Sequence, residues 1–219
     1  MNDIHISGTG SVAPGQYDKV TVSGMSKCSG ALRAEEIIIN GTFKVEDATE
    51  CRKLTVNGTF KGEGALSAEE VVCNGAGTIE DDMVANVLSV AGVLHAEGDR
   101  LQSRELSCAG ILTMDGLVSC DQIHVTGILK AEQLEGRSIR IRSHRPELLR
   151  RFWLSKGLSR IDYIQGAEIE LSGVTAETVT GTNITIGPDC NIERIRCNGT
   201  LRLDPSSVVE DIAGEYEMQ

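Results

Sequence analysis

The chain has 219 residues and a formal net charge of −11, and it is 40% hydrophobic yet only 3% aromatic. So acidic a surface repels phosphate backbones, which argues against nucleic acid as a partner, and no apolar run approaches the ~18 residues of a membrane-spanning helix. Seven cysteines, an odd number spread along the chain without a CxxC pair, give neither a disulfide framework nor a zinc site and point to a reducing compartment.

From the N-terminus the predicted elements are short strands, announced by a repeat. Apolar residues two apart recur nine times at intervals of 16 to 18: Ile4/Ile6, Val20/Val22, Ile37/Ile39, Leu54/Val56, Val71/Cys73, Leu88/Val90, Leu106/Cys108, Ile123/Val125 and Ile139/Ile141. From the first pair to the eighth a glycine follows two residues later, from Gly8 and Gly24 to Gly110 and Gly127. A period of about 17 residues marks one coil of a solenoid. Alternate positions face the same side of a strand, and polar neighbours such as Glu36, Lys53 and Glu105 make it a half-buried one. No stripe at helical spacing persists. The glycine is expected to end each strand at a corner with positive φ. Asn40, Asn57 and Asn74 precede it in three units, and asparagine tolerates the left-handed region and bonds local backbone.

Coils of this length suit a triangle of three short strands. Phe43, Phe60, Leu94, Leu112 and Leu129 form a second inward column, and Ala34, Cys51, Ala68, Ala85, Ser103, Cys120 and Gly136 a third, of small residues. Outward, Lys19, Glu36, Lys53 and Glu70 alternate in sign from coil to coil, and Asp18, Glu35, Arg52 and Glu69 stand beside them. Each opposite-charge neighbour contributes roughly 0.2–1 kcal/mol and opposes a slip in register. No proline lies between Pro14 and Pro146 to interrupt the ladder. Residues 1–142 therefore read as a main β-helix of about nine coils.

The repeat breaks in a basic insert, residues 143–162. From Arg137 to Arg160 eight cationic residues face one acid, 8 − 1 = +7, whereas the remainder carries 13 − 31 = −18. Pro146 can open a short helix and Gly157 close it. Leu148, Leu149, Phe152 and Trp153 would share one side, with Arg150 and Arg151 opposite and Arg145 and Lys156 at the two ends. These eight residues are the candidate contact site. Three readings stand: a helix packed on a flank or end of the solenoid, a basic arm docking on the acidic face of another subunit, or a membrane-surface contact.

Beyond the insert, residues 163–219, the strand signals resume less regularly. Ile169/Leu171, Ile184/Ile186, Ile195/Cys197 and Leu201/Leu203 predict two or three distorted coils, either continuing the stack or forming a second small solenoid. The first two spacings are 184 − 169 = 15 and 195 − 184 = 11.

Catalytic groupings are not found. His5, His95, His124 and His144 read as belonging to different repeat positions, with no reason to converge. Walker, GxSxG, HExxH and dinucleotide-binding motifs do not occur. Cys51, Cys73, Cys108 and Cys120 fall on inward positions, where cysteine acts as a small hydrophobe. No cofactor and no metal are expected. A hexapeptide-type acyltransferase is the least favoured reading, because its six-residue period is missing.

The opening ISGTGSVAPGQYDKVTVSG (6–24), the tandem AEExxxNG units (34–41 and 68–75) and the late stretch IQGAEIELSGVTAETVTGTNITIGPDCNIERI (164–195) resemble the polymer-forming cytoskeletal proteins of bacteria. This is the bactofilin superfamily, in its longer branch with a second segment after a basic insert. The resemblance covers nearly the whole chain. It implies an all-β fold, a right-handed three-sided parallel β-helix, with self-assembly into filaments without nucleotide. It also implies a cytoplasmic location, frequent scaffolding at the inner face of the membrane, and no catalytic residues. The alternative is a non-polymerising β-solenoid whose basic insert binds a membrane surface or a cell-envelope protein.

Overall fold

The computed structural model describes residues 2–143 and 159–218. Among these, every regular element is a strand. A short β1 (Asp3–Ile6) is followed by four-residue strands that alternate with long ones. The short ones are β2 (Thr9–Val12), β4 (Met25–Cys28), β6 (Thr42–Val45), β8 (Thr59–Gly62), β10 (Ala76–Ile79), β12 (Val93–Ala96) and β14 (Ile111–Met114). The long ones are β3 (Gly15–Val22), β5 (Leu32–Ile39), β7 (Thr49–Val56), β9 (Leu66–Cys73), β11 (Met83–Val90), β13 (Arg100–Cys108) and β15 (Leu117–Val125). Then come β16 (Ile128–Arg142), β17 (Ser159–Ser172), β18 (Val174–Ile186), β19 (Asn191–Leu203), β20 (Val208–Ala213) and β21 (Glu217–Met218).

Each strand pairs in parallel with its counterpart one coil away, β5 on β3 and β7, β6 on β4 and β8. The result is a three-sided parallel β-solenoid of about 12 turns. The long strand supplies two of the sides. Ala34 pairs Cys51 and Glu36 pairs Lys53, so Glu35 and Arg52 drop out of the ladder where the strand bends. The other corners fall at Asn40–Gly41 and near Asp47.

Six side chains per coil point inward. In one coil Leu32, Ala34, Ile37, Ile39, Phe43 and Val45 are all buried, spaced by 2, 3, 2, 4 and 2 residues. The pair column and both expected secondary columns are inward, and the ladder runs Ala34–Cys51–Ala68–Ala85–Ser103–Cys120–Gly136. Two further columns escaped the sequence reading. One is Leu32, Thr49, Leu66, Met83, Leu101 and Val118; the other is Val12, Cys28, Val45, Gly62, Ile79 and Ala96.

The corner glycines are explained by crowding and not by φ. None of the eight has a positive φ. A Cβ on Gly24, Gly41, Gly58, Gly75, Gly92, Gly110 or Gly127 would lie 1.9 to 2.1 Å from the carbonyl oxygen of the glycine one coil below. The asparagines are not left-handed either, since Asp189 is the only non-glycine with positive φ among the described residues. They form a ladder of their own: the Asn57 amide donates to Asn40 Oδ1 at 2.9 Å, and the Asn74 amide to Asn57 Oδ1 at 2.9 Å.

Past the break the coils tighten. Ile139 pairs Ile169, Ile169 pairs Ile184 and Ile184 pairs Leu201. The true pair spacings are therefore 184 − 169 = 15 and 201 − 184 = 17. Ile195/Cys197, read as a pair of the main column, belongs to two other columns, below Ile212 and above Gly181. Gly136, Gly166 and Gly181 stack in one column, where an added Cβ would lie 2.6 to 2.7 Å from a carbonyl oxygen one coil below and 2.9 to 3.3 Å from isoleucine carbons.

Candidate functional site

Arg145, Leu148, Leu149, Arg150, Arg151, Phe152, Trp153 and Lys156, with the short helix expected there, lie outside the described residues. What is described is the frame that holds this segment. Ser143 and Ser159 are both buried, and their hydroxyls stand 2.7 Å apart. The Ser143 hydroxyl donates to Gly127 O at 3.0 Å, and the Leu129 N–H donates to Ser159 Oγ at 3.0 Å. The Ser143 N–H donates to Ser172 O at 3.0 Å and the Ser159 N–H to Gly173 O at 3.4 Å. The two serines thus bind both the coil below and the coil above, and they satisfy the backbone groups that the excursion would otherwise orphan.

Each of the four described cations of the basic stretch has an acidic partner on the solenoid. Arg140 and Arg142 converge on Glu170, at 2.8 and 2.6 Å, while Arg160 reaches Asp162 at 3.5 Å and Arg137 Asp121 at 3.9 Å. Burial pushes the Glu170 carboxyl up, but the hydrogen bonds from Arg142 and Arg140 outweigh it and hold the group below its ordinary value.

Elsewhere the outer faces carry charge ladders. Lys19–Glu36 at 2.7 Å, Lys53–Glu70 at 2.9 Å and Arg52–Glu35 at 3.4 Å follow the predicted alternation. A denser zigzag on the third side was not foreseen. Lys27–Glu46, Lys44–Glu63 and Lys61–Glu80 close at 2.7, 2.8 and 2.6 Å, with Lys44 also 3.2 Å from Glu46. Its signal lay in the sequence as a lysine followed two residues later by a glutamate, in the units KVE at 44–46 and KGE at 61–63.

Among the described residues, possible reactive groups are separated or buried. His5 and His124 do share a column, contrary to the sequence reading, but seven coils apart, roughly 34 Å at the usual strand spacing. All seven cysteines are buried and unpaired. Burial pushes the Cys51 and Cys120 thiols up to about 12, and those of Cys73 and Cys108 to about 11, so at neutral pH these four are protonated and poor nucleophiles. Among the described residues no three His, Cys, Asp or Glu side chains gather as metal ligands, and no helix is long and apolar enough to cross a membrane. A shallow groove of about 550 Å³ follows one corner, lined by Gln102, Ser103, Arg104, Asp121, Glu135 and Arg137 among others.

The two ends of the stack present bare backbone. Among the described residues β1 pairs only β3, β2 only β4, and β20 and β21 only β19. Ile4 and Ile6 at one end, and Leu203, Val209 and Ile212 at the other, are partly buried against the core.

Comparison with known proteins finds one relative to report, the uncharacterized protein YhbE of Bacillus subtilis (strain 168), 30% identical over 100 residues. That similarity spans 44% of this chain and 42% of the relative's length. No family model and no solved structure matches.

Proposed function

We propose that this chain is a structural, self-assembling scaffold of the bactofilin type, polymerising end to end through its outermost coils without nucleotide. The observation that carries the reading is the pair of bare coil edges over half-covered lumens. A row of unpaired N–H and C=O groups templates another strand. At these ends the added strand would also cover Ile4 and Ile6, or Leu203, Val209 and Ile212. A contact between unlike ends along a straight axis does not close on itself, so it generates open filaments. Backbone pairing and apolar burial supply the free energy, which leaves no step that needs nucleotide hydrolysis.

The same reading makes the principal partner a second copy of the chain and places the protein in the cytoplasm, where seven unpaired thiols persist. It gives the molecule a mechanical and positioning role instead of a catalytic one. Attachment to the inner membrane face or to an envelope protein belongs to the segment between Ser143 and Ser159.

Negative-stain microscopy of purified protein without nucleotide is expected to show filaments, and Ile6→Lys, which places a charge at the lumen mouth, is expected to shorten or abolish them while leaving the β-sheet circular dichroism unchanged. A wild-type protein that sediments as a monomer at every concentration tested overturns the reading.

A further inference from the structure

The side of the solenoid formed by the first half of each long strand changes character along the axis. In the early coils its outward positions carry charges that satisfy one another, as Arg33 on β5 and Glu50 on β7 do. In β16, β17 and β18 the same side turns to amides, hydroxyls and one aromatic ring. Gln133, Tyr163 and Thr178 stack in one outward column, and Glu135, Gln165 and Thr180 in the next. The columns stand two residues apart on three neighbouring strands, an array of roughly 7 by 10 Å. None of these six side chains bonds to another group among the described residues. Tyr163 is 51% exposed, whereas Tyr17, Phe43 and Phe60 are buried.

This array lines part of a groove. A hollow of about 240 Å³ lies between the two columns. Another of about 420 Å³ lies between the second column and the corner residues Ala167 and Thr182, over the backbone of Gly136, Gly166 and Gly181. Both share Glu135 with the groove of about 550 Å³ that runs back to Val84. Together they follow the rod over six coil spacings, roughly 29 Å. Hollows of this size hold small molecules, but a groove open along its length suits an extended polymer held unit by unit. Its chemistry narrows the class. Amides and hydroxyls both donate and accept, which matches a hydroxyl-rich ligand, and the Glu135 carboxylate can accept from two neighbouring hydroxyls. An exposed tyrosine ring offers a flat apolar face, which matches the C–H face of a sugar ring. The two hollows beside the array are lined by no cation, so phosphate-bearing chains find no countercharge there. A peptide strand finds no free edge, because these stretches of β16, β17 and β18 are paired on both sides.

We propose that this groove binds an uncharged glycan chain laid along the rod axis, with one sugar ring stacked on Tyr163 and its hydroxyls bonded to Gln133, Gln165, Thr178 and Thr180. The exposed ring, the unspent hydrogen-bonding groups and the lack of cations select this occupant. The groove lies on a flank and not at an end, so the proposal is independent of end-to-end assembly: a filament exposes it as a monomer does.

Saturation-transfer difference NMR on the full chain tests this, because it reads the small ligand whether the protein is monomeric or polymerised. The probes are cellohexaose, chitohexaose and maltohexaose, with a neutral alanine–glycine peptide of similar length as the contrasting class. Saturation transfer to at least one of the sugars is expected. Tyr163→Ala, at an exposed position, is expected to weaken that binding about tenfold with the far-UV spectrum unchanged. Gln165→Ala is expected to weaken it as well, and Tyr163→Phe, which keeps the ring face, to retain most of it. Tyr216→Ala removes another exposed tyrosine, near the C-terminus, and is expected to change nothing. No transfer to any of the three sugars overturns the proposal, as does binding indifferent to both Tyr163→Ala and Gln165→Ala, or equally weakened by Tyr216→Ala. Transfer to the peptide and not to the sugars assigns the groove to an extended polypeptide and overturns it too.

Discussion

A methyl group is too large for the main corner of this solenoid. At Gly58 it would stand 2.0 Å from Gly41 O, an oxygen that already accepts from the Thr59 N–H at 2.8 Å. Neighbouring coils are fixed at the strand spacing, so one corner cannot open without lengthening these bonds. Gly58→Ala is therefore expected to destabilise the protein by about 3 kcal/mol in urea unfolding. Gly8 carries the same sequence signature, yet a Cβ there meets nothing within 4 Å, and Gly8→Ala is expected to stay within about 0.5 kcal/mol of wild type. The sequence shows the glycine column plainly but misreads its cause, because a need for positive φ and a close backbone approach leave the same residue behind. Buried hydroxyls are a second case that only packing reveals. Thr49 Oγ1 lies in the lumen without a hydrogen-bond partner, so Thr49→Val, which keeps the shape and removes the unmet polar atom, is expected to raise stability by about 1 kcal/mol.

The strands show which parts of a repeat reach the surface of a sequence. The pair column was legible because almost every coil keeps an aliphatic residue there. The other columns trade size among themselves: Gly77 follows Phe60 in one column, and a Cβ at Gly62 in another would lie 3.4 Å from the Phe60 ring. Filling is conserved per coil and not per position, so these columns look irregular when read along the chain. For the same reason Ile195/Cys197 imitates the main pair, since every side of the triangle offers two inward positions two residues apart. The break is clearer in three dimensions. Arg142 pairs Ser172 and Ser159 pairs Val174, so Ser143 and Ser159 occupy the places of the consecutive Gly173 and Val174 one coil later. Removing the fifteen residues 144–158 would turn the step of 169 − 139 = 30 into 15, equal to the next step of 184 − 169 = 15. The deletion is expected to keep the β-sheet spectrum and to leave the melting temperature nearly unchanged; loss of the folded state would show that the segment is part of the stack. The charge ladders have their own pH signature. Hydrogen bonds from Lys27 and then Lys44 hold Glu46 below the ordinary carboxylate range, and Lys44 does the same for Glu63. The lysine pKa values rise in turn, that of Lys44 through Glu63 and Glu46 and that of Lys61 through Glu80. A depressed carboxyl stabilises above its unfolded value and loses this as pH falls through the folded one; a raised lysine stabilises below its unfolded value and loses this as pH rises through the folded one. The buried thiols of Cys51, Cys73, Cys108 and Cys120, raised from an ordinary 9.0, ionise first in the unfolded chain, so the melting temperature is expected to be flat between about pH 4.5 and 9 and to fall on both sides, with the acid limb reduced in Lys44→Gln.

At the scale of the whole molecule the solenoid is a rod whose coils touch only their neighbours, so its interior resists change while its ends are unsatisfied. About 12 turns at ~4.8 Å each give a minimum axial repeat of ~58 Å for subunits stacked directly, and a filament is expected to show both spacings in its diffraction. Charge then separates two ways of assembling. Outside Arg137–Arg160 the chain carries 13 − 31 = −18, so rods meeting end on must overcome mutual repulsion. Raising the ionic strength from about 0.01 M to 0.15 M shortens the screening length from ~30 to ~8 Å. If the ends join through backbone pairing and apolar burial, pelleted polymer increases over this range and the filaments begin to bundle laterally. If subunits are held instead by the +7 stretch of one chain on the acidic face of the next, the attraction is screened and polymer decreases. Sedimentation across a salt series, read with negative-stain images of the same samples, therefore reports the sign of the force at the contact. An increase is the expected outcome, because the described cations of the basic stretch, Arg137, Arg140, Arg142 and Arg160, already face acids of their own chain and have less charge left to offer a neighbour.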